Sequence, residues 1–126
     1  MSAPEGRMIL VADDNDDQRA LYVDLLTHAG FQVREARDGA EAIERASADR
    51  PSLILMDVTM PGTSGWNAVR ALRQQMDTHA IPIIVITGLA GVQDRDASFA
   101  AGSDAYLTKP VLPLRLLEEV RKFLPA

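Results

Sequence analysis

Five short apolar runs recur along the chain, and each is followed by a segment whose apolar residues have helical spacing. The runs are Met8 to Ala12, Phe31 to Ala36, Leu53 to Met56, Ile81 to Ile86 and Ala105 to Leu107. The first helical segment carries Leu21, Leu25, Leu26 and Ala29, and the last carries Leu114, Leu117, Val120 and Phe123. The runs have the length of strands, so the alternation predicts five strand–helix units, of which the fourth helix, Val92 to Ala101, is the least periodic.

Strands that alternate with helices favour a parallel sheet, because right-handed crossovers place the helices over its two faces. The segments ILVA, LILM and IIVI are continuously apolar, which is typical of strands buried on both sides. A chain of 126 residues is long enough for one such core. We therefore predict a single α/β domain with a five-stranded parallel sheet and helices on both faces.

The composition and net charge exclude several functional classes. A net charge of -5 and a pI near 4.9 argue against a nucleic-acid-binding surface, which needs clustered Lys and Arg. No apolar run approaches the roughly 20 residues that span a bilayer. The first seven residues, MSAPEGR, lack the apolar core of a secretory signal, and there is no cysteine for an extracellular disulfide framework. We expect a cytoplasmic protein without membrane insertion or direct nucleic-acid binding.

Polar residues follow most of the predicted strands. In an open α/β sheet, ligands bind outside the carboxyl ends of the strands. These ends carry Asp13 and Asp14 after strand one, Asp57 after strand three, Thr87 after strand four, and Thr108 with Lys109 after strand five. The second strand leads instead into Arg37, Asp38 and Gly39, which are typical of a turn. We expect the functional site at this edge of the sheet.

Three carboxylates at one edge would repel one another. If Asp13, Asp14 and Asp57 lie near 4 Å from one another, each pair costs about 4 kcal/mol at an effective dielectric constant of about 20, or on the order of 10 kcal/mol in total. Either a proton is retained or a cation is bound. Oxygen ligands, without Cys or suitably placed His, favour Mg²⁺ over zinc or copper.

A magnesium ion at these acids suggests a phosphoryl group as the next ligand, because Mg²⁺ prefers one or two carboxylates, several waters and a phosphate oxygen. Lys109 supplies a flexible cation, and Thr87 supplies a hydroxyl donor at the neighbouring strand end. If Asp57 accepts the phosphoryl group, the charges of Asp13, Asp14, the phosphoryl group, Mg²⁺ and Lys109 sum to about -1. Such a site is electrostatically tolerable.

The motifs VADDND, LILMDVTMPGTSG, IVITG and AYLTKP, in this order and at these spacings, resemble the receiver domain of two-component response regulators. The resemblance covers about residues 8 to 124, and the combined motifs are far more specific than any one of them. It implies the flavodoxin-like fold with strand order 2-1-3-4-5. It also implies a phosphorelay signalling domain, not an enzyme, that assists its own phosphorylation and dephosphorylation.

The resemblance assigns roles to individual residues. Asp57 would accept a phosphoryl group from a phosphohistidine on a histidine kinase or a histidine phosphotransfer protein. Asp13, Asp14 and Asp57 would bind Mg²⁺ together with the backbone carbonyl of Thr59, and Lys109 would pair with the phosphoryl group.

The resemblance also implies a conformational switch. Thr87 would hydrogen-bond the phosphoryl group, and Tyr106 would move inward behind Thr87. This movement would reshape a partner-binding face formed by helix four, strand five and helix five. A cis bond would precede Pro110.

Two further positions, Thr59 and Leu89, correspond to family positions that influence how water reaches the phosphoryl group. A leucine side chain cannot hydrogen-bond an attacking water, unlike an acid or an amide. The sequence therefore predicts a rather long-lived phosphoryl group.

Simpler interpretations exist for several of these residues. Asn15, Asp16 and Asp17 have the composition of a helix N-cap and first turn. Capping does not explain Asp13 and Asp14, because a helix N-cap needs only one side chain. Asp57 alone would be an ordinary turn residue, and Tyr106 alone an ordinary core residue.

Three other functions fit the sequence less well. An Asp-nucleophile phosphatase would need a second acid two residues after Asp57, where this chain has Thr59. A flavodoxin-type cofactor binder would need Gly, Ser and Thr around its phosphate, where this chain has repelling acids. A receiver-like protein-interaction scaffold would not be phosphorylated, and the complete set of acids, Thr and Lys argues against it.

The predicted domain limits are a flexible tail over residues 1–7, the receiver domain over 8–124 and a short end at 125–126. We expect no output domain in this sequence. It is compatible with a stand-alone receiver and with part of a larger regulator or hybrid kinase. The cognate kinase, the stimulus and the output are not encoded in these motifs.

Overall fold

The fold consists of five strands that alternate with five helices. The computed structural model describes residues 7–58, 65–88 and 92–125. The strands are β1 (Met8–Ala12), β2 (Gln32–Ala36), β3 (Leu53–Asp57), β4 (Ile83–Thr87) and β5 (Ala105–Thr108). The helices are α1 (Asp16–His28), α2 (Gly39–Asp49), α3 (Gly65–Gln74), α4 (Val92–Ala101) and α5 (Pro113–Phe123). The predicted alternation is confirmed, although β4 begins two residues later than the sequence predicted.

The sheet is parallel throughout, with strand order β2-β1-β3-β4-β5. This order confirms the flavodoxin-like topology. Ala12 lies opposite both Ala36 and Met56, and Thr87 lies opposite Thr108. The carboxyl ends of the strands are therefore level with one another along one edge.

Two apolar layers cover the sheet, one on each face. On one face, side chains from β1, β3 and β4 pack against α2, α3 and the end of α4. On the other face, the alternate residues of the same strands pack against α1 and α5. The central strands are buried along their whole length, as the continuous apolar runs predicted.

The start of α1 confirms the capping interpretation of its acidic segment. Asn15 is the N-cap, and its side chain accepts a hydrogen bond from the backbone N–H of Gln18 at 2.9 Å. Asp16 and Asp17 lie in the first turn, where negative charge is favourable. After the helix, Gly30 takes a φ of 99°, which a glycine adopts without steric cost.

The buried face of α1 includes Leu25, Leu26 and Ala29 of the leucine-spaced residues, but not Leu21. The fully or largely buried residues of this helix are Arg19, Tyr22 and Leu26, whereas Leu21 is 69% exposed. Leu114 of α5 is likewise exposed. Within the described part of the chain, no helix is long and apolar enough to cross a membrane.

Candidate functional site

The predicted site residues converge at the carboxyl edge of the sheet. Asp57 is the last residue of β3, Asp13 directly follows β1, and Lys109 directly follows β5. One carboxylate oxygen from each of Asp13, Asp14 and Asp57 lies within 4.8 Å of the others. The structure thus brings together the three acids that the sequence predicted to share a cation.

The alternation of side chains along each strand explains this convergence. Asp13 and Asp57 continue the rows of β1 and β3 that face α1 and α5, and Lys109 continues the corresponding row of β5. The Nζ atom of Lys109 lies 2.8 Å from Oδ2 of Asp57. Since Asp57 is only 3% exposed, this ion pair supplies part of the compensation that a buried carboxylate needs.

Asp13 is fixed by its backbone and by one carboxylate oxygen. Its N–H donates to the carbonyl of Ala36 at 3.0 Å, and its Oδ1 accepts from the backbone N–H of Asn15 at 2.9 Å. The second oxygen, Oδ2, is buried and has no hydrogen-bond partner in the described part of the protein. An unpartnered, buried carboxylate oxygen beside two other acids is suited to a hard cation.

The environment of Asp13 shifts its proton equilibrium. Burial raises the pKa of its carboxyl group from 3.8 to about 6, and the negative charges of Asp57 and Asp14 act in the same direction. The hydrogen bond from Asn15 and the charge of Lys109 oppose this shift. The raised pKa agrees with the argument that the acids need either a retained proton or a cation.

These residues fit Mg²⁺, the ion predicted from the sequence. Two buried acids and one exposed acid, Asp14, leave room for water ligands on the solvent side. The backbone carbonyl of Thr59, predicted as another ligand, lies outside the described residues, as does Leu89.

The β4 and β5 strands place the predicted switch residues on the opposite face of the sheet. Thr87 is fully buried at the end of β4, and its carbonyl accepts a hydrogen bond of 2.7 Å from the N–H of Lys109. Tyr106 lies opposite Val85 in the register, so its side chain lies on the same face as Val85 and Thr87. Tyr106 is half-buried against the apolar layer of that face. The peptide bond between Lys109 and Pro110 is cis, as the resemblance implied.

Two residues near the site were missed in the sequence. Arg19 is buried in α1 and donates a hydrogen bond of 2.7 Å to the carbonyl of Asp13. Burial alone would lower the pKa of its guanidinium, but hydrogen bonds to Asp16 and Glu35 raise it above the usual value. The sequence signal for a buried Arg19 was a pair of acidic residues, Asp16 three positions before it and Glu35 sixteen positions after it.

Tyr22 is the second missed residue. Burial raises the pKa of its phenol to about 12, and the negative charges of Asp13 and Asp57 add to this effect. Tyr22 also lines a groove of about 290 Å³ between α1 and the segment that leads into α5. The groove therefore lies beside the acid cluster, which consists of Asp13, Asp14 and Asp57.

Comparison with known proteins gives a consistent family. The model of the response regulator receiver domain matches residues 9–121. The polar-differentiation response regulator DivK of Brucella anthropi is 30% identical over 118 residues, which cover 94% of this chain and 96% of DivK.

Solved structures give the same family. The chemotaxis protein CheY4 of Vibrio cholerae is 31% identical with a TM-score of 0.88, over 92% of this chain and 97% of CheY4. The receiver domain of a sensor histidine kinase from Pseudomonas aeruginosa PAO1 is 30% identical with a TM-score of 0.88, over 96% of this chain and 99% of that domain. That structure holds a magnesium ion coordinated in its active-site cleft.

Proposed function

Because the chain belongs to the receiver domain family of response regulators, we propose that Asp57 is its phosphoacceptor in a two-component phosphorelay. A carboxylate oxygen of Asp57 attacks the phosphorus of a phosphohistidine on a histidine kinase or histidine phosphotransfer protein. The new O–P bond forms as the P–N bond breaks, and the imidazole nitrogen retains the electron pair of that bond. The product is an aspartyl phosphate on a signalling domain.

One observation carries this proposal: a buried strand-end carboxylate lies against a lysine and within a cluster of acids. The ammonium of Lys109 contacts Asp57 and is positioned to follow the negative charge onto a phosphoryl oxygen. The flexible side chain of a lysine suits this movement. Positioning of the reactants and electrostatic stabilisation of the phosphoryl charge are the main protein contributions to phosphoryl transfer.

We propose Mg²⁺ as the cofactor, held by Asp13, Asp14 and Asp57, with the carbonyl of Thr59 as a further ligand. When bound, the ion supplies positive charge to the phosphoryl oxygens. The unpartnered Oδ2 of Asp13 supports this assignment, because a buried anionic oxygen is costly unless it is paired. The magnesium ion in the receiver domain from Pseudomonas aeruginosa gives further support.

The donor protein must reach an acceptor that is itself buried. The groove beside Asp57 is lined mainly by apolar side chains, including Leu21, Val111 and Leu116. Tyr22 and Pro110, the neighbour of Lys109, connect the groove to the site. We therefore place donor docking at this groove.

The output is proposed to use the face formed by α4, β5 and α5. Thr87 would hydrogen-bond the phosphoryl group, and Tyr106 would move inward behind it. Tyr106 pairs with Val85, two residues before Thr87, so the two side chains lie on the same face of the sheet. This arrangement supports coupled movement of Thr87 and Tyr106. Phe99 of α4 is 47% exposed, so this helix presents an apolar side chain that a partner could bury.

Two alternative functions are less well supported. A phosphatase of the Asp-nucleophile class needs a second acid near Asp57, and the sequence has Thr59 at the required spacing. A scaffold that is never phosphorylated would not need a buried acceptor paired with Lys109. The limits 8–124, the cytoplasmic location and the lack of direct nucleic-acid binding stay predictions from the sequence.

The decisive experiment is incubation with a small-molecule phosphodonor such as acetyl phosphate, with and without Mg²⁺, followed by intact mass measurement. We expect one phosphoryl adduct in the wild type with Mg²⁺ and none in Asp57→Asn. An adduct that forms equally without Mg²⁺, or that persists in Asp57→Asn, would overturn the proposal.

The lifetime of the phosphoryl group gives a second test. Leu89 offers no hydrogen bond to an attacking water, so we expect faster hydrolysis in Leu89→Glu and Leu89→Gln. The loss of the adduct is followed by mass after removal of the phosphodonor. Equal or slower hydrolysis in both variants would refute the role of this position.

A further inference from the structure

Arg19 is a buried charged residue for which the proposed phosphotransfer has no direct use. It lies in the first half of α1 and is 8% exposed. A guanidinium is rarely buried unless each of its donors has a partner. The contacts of Arg19 therefore indicate what its burial achieves.

The guanidinium of Arg19 connects three segments around the acid cluster. Its Nη1 donates to the carbonyl of Asp13 at 2.7 Å, and its Nε donates to Oε1 of Glu35 on β2 at 2.9 Å. Its Nη2 donates to Oδ1 of Asp16 at 2.6 Å. A single side chain thus joins the end of β1, the first turn of α1 and the edge strand β2.

The contact with Asp13 completes the fixation of that residue. The N–H of Asp13 is bonded to β2, and one carboxylate oxygen is bonded to the N–H of Asn15. Arg19 holds the remaining backbone group, the carbonyl. With these groups held, the Asp13 carboxylate keeps a fixed position relative to Asp14 and Asp57, and its Oδ2 has no hydrogen-bond partner in the described part of the protein.

The charge of Arg19 is already compensated by its acidic partners. Asp16 and Glu35 contribute two negative charges against the single positive charge of the guanidinium. Removal of Arg19 would therefore make the surroundings of the acid cluster more negative. Electrostatics alone would then predict tighter binding of a divalent cation, whereas loss of positioning predicts weaker binding.

We propose that Arg19 is a positioning residue for Mg²⁺, which orients the Asp13 ligand through its backbone carbonyl and ties it to β2. The inference rests on the proposed magnesium site but concerns a residue that contacts neither the ion nor the phosphoryl group. Residues that orient metal ligands typically change metal affinity by roughly 10- to 100-fold when they are replaced. We expect an effect near the lower limit, because Asp14 and Asp57 remain in place.

The test compares Arg19→Ala and Arg19→Lys with the control variant Arg73→Ala. Arg73 is a similarly bonded arginine, which donates to the carbonyls of Gly102 and Ile81 and to Asp104. These partners lie at the opposite edge of the sheet, before β4 and β5. Mg²⁺ dissociation constants are measured by isothermal titration calorimetry, and the free energy of unfolding is measured in EDTA.

We expect both alanine variants to be less stable than the wild type, but only Arg19→Ala to bind Mg²⁺ roughly tenfold more weakly. Arg19→Lys keeps the charge but replaces three separate donor nitrogens by one. A single nitrogen cannot reach the three acceptors together, so the Mg²⁺ affinity of this variant should also fall. This variant also serves as the test if Arg19→Ala does not fold.

Unchanged or tighter Mg²⁺ binding in the Arg19 variants would overturn the inference, and so would an equal loss of affinity in Arg73→Ala. Weaker Mg²⁺ binding in Arg19→Ala together with wild-type affinity in Arg19→Lys would also overturn it. A positive charge at this position, rather than the geometry of the guanidinium, would then be sufficient for Mg²⁺ binding. Failure of the wild type to bind Mg²⁺ would instead refute the proposed function.

Discussion

Asp13 has an environment that makes stability depend on pH. Its carboxyl group has a pKa of about 6 in the folded protein, compared with an ordinary value of 3.8. Between these two values the folded protein holds a proton that the unfolded chain has released. Ionisation of Asp13 therefore disfavours the folded state as the pH rises, until a cation compensates it.

We expect the free energy of unfolding in EDTA to fall by about 2 kcal/mol between about pH 4 and pH 7, relative to Asp13→Asn. The variant cancels the contributions of the other carboxyl groups. Urea unfolding across this pH range measures the difference between the two proteins. Saturating Mg²⁺ should abolish the fall, because the ion binds the ionised carboxylate. Parallel pH profiles for wild type and variant in EDTA would contradict this role of Asp13.

Gly65 is constrained by close contact with the end of β3. A Cβ atom at this position would lie 2.4 Å from the Cα of Val58, the residue directly after Asp57. The clash involves backbone, so it cannot be relieved by rotation of a side chain. A side chain at Gly65 must therefore displace either α3 or the segment that carries the acceptor.

We expect Gly65→Ala to lower the free energy of unfolding by roughly 1–3 kcal/mol, the usual range for overpacking. Gly88→Ala is the matched control, because no atom of the described residues lies within 4 Å of a Cβ at that position. That variant should be neutral or slightly stabilising. Urea unfolding of both variants makes the comparison. Equal stability of the two would show that the close contact with Val58 is relieved without cost.

Helix α1 shows where sequence patterns succeed and where they fail. Its acidic start was predicted as a cap, and Asn15 is the cap. Its buried face was predicted in part, because Tyr22 lies on the same helical face as Leu25, Leu26 and Ala29, whereas the burial of Arg19 was not expected. Hydropathy cannot identify a buried arginine, since its burial depends on acceptors such as Glu35 that only the folded sheet brings close. Leu21, in contrast, lines the groove beside the site.

The capping residue of α1 allows a test of how this helix supports the site. Replacement of Asn15 by Ala removes the side-chain acceptor for the N–H of Gln18, which should cost about 1 kcal/mol of stability. Asp38→Ala is the control, because Asp38 caps α2 in the same way through the N–H of Glu41. The free energies of unfolding should fall by similar amounts.

Mg²⁺ affinity should distinguish these two capping variants. Asn15→Ala loosens the turn whose N–H holds Asp13, whereas Asp38 follows β2 and has no bond to the acid cluster among the described contacts. We expect weaker Mg²⁺ binding in Asn15→Ala alone, as measured by calorimetry. A similar change in both variants would mean that general loss of stability, not local geometry, lowers the affinity.

The architecture as a whole was predictable because the sheet is parallel and buried on both sides. Strands such as β3 and β4 must then be continuously apolar, and their polar ends must collect at one edge. That rule placed Asp13, Asp57 and Lys109 together without knowledge of the strand order. The order itself came from the family resemblance, since many orders satisfy the same apolar pattern. Contacts such as those of Arg19 depend on the order, because β2 must lie beside β1.

The acid cluster links the stability of the whole domain to Mg²⁺. Repulsion among Asp13, Asp14 and Asp57 acts only in the folded protein, where their oxygens lie within 4.8 Å of one another. An ion that binds only the folded form stabilises it by about 2.7 kcal/mol when its concentration is 100 times the dissociation constant. Unfolding midpoints in urea should therefore rise with Mg²⁺ concentration.

The same titration of Asp57→Ala separates site binding from general salt effects. This variant loses one ligand and part of the repulsion, so it should be more stable than the wild type in EDTA and gain less from Mg²⁺. Potassium chloride at matched ionic strength is the second control, because a monovalent salt screens the acids without bridging them. Equal stabilisation of both proteins by Mg²⁺, or equal stabilisation by potassium chloride, would argue against a specific site. A larger Mg²⁺ response in the wild type would show that the cost of assembling the three acids is recovered when the cation binds.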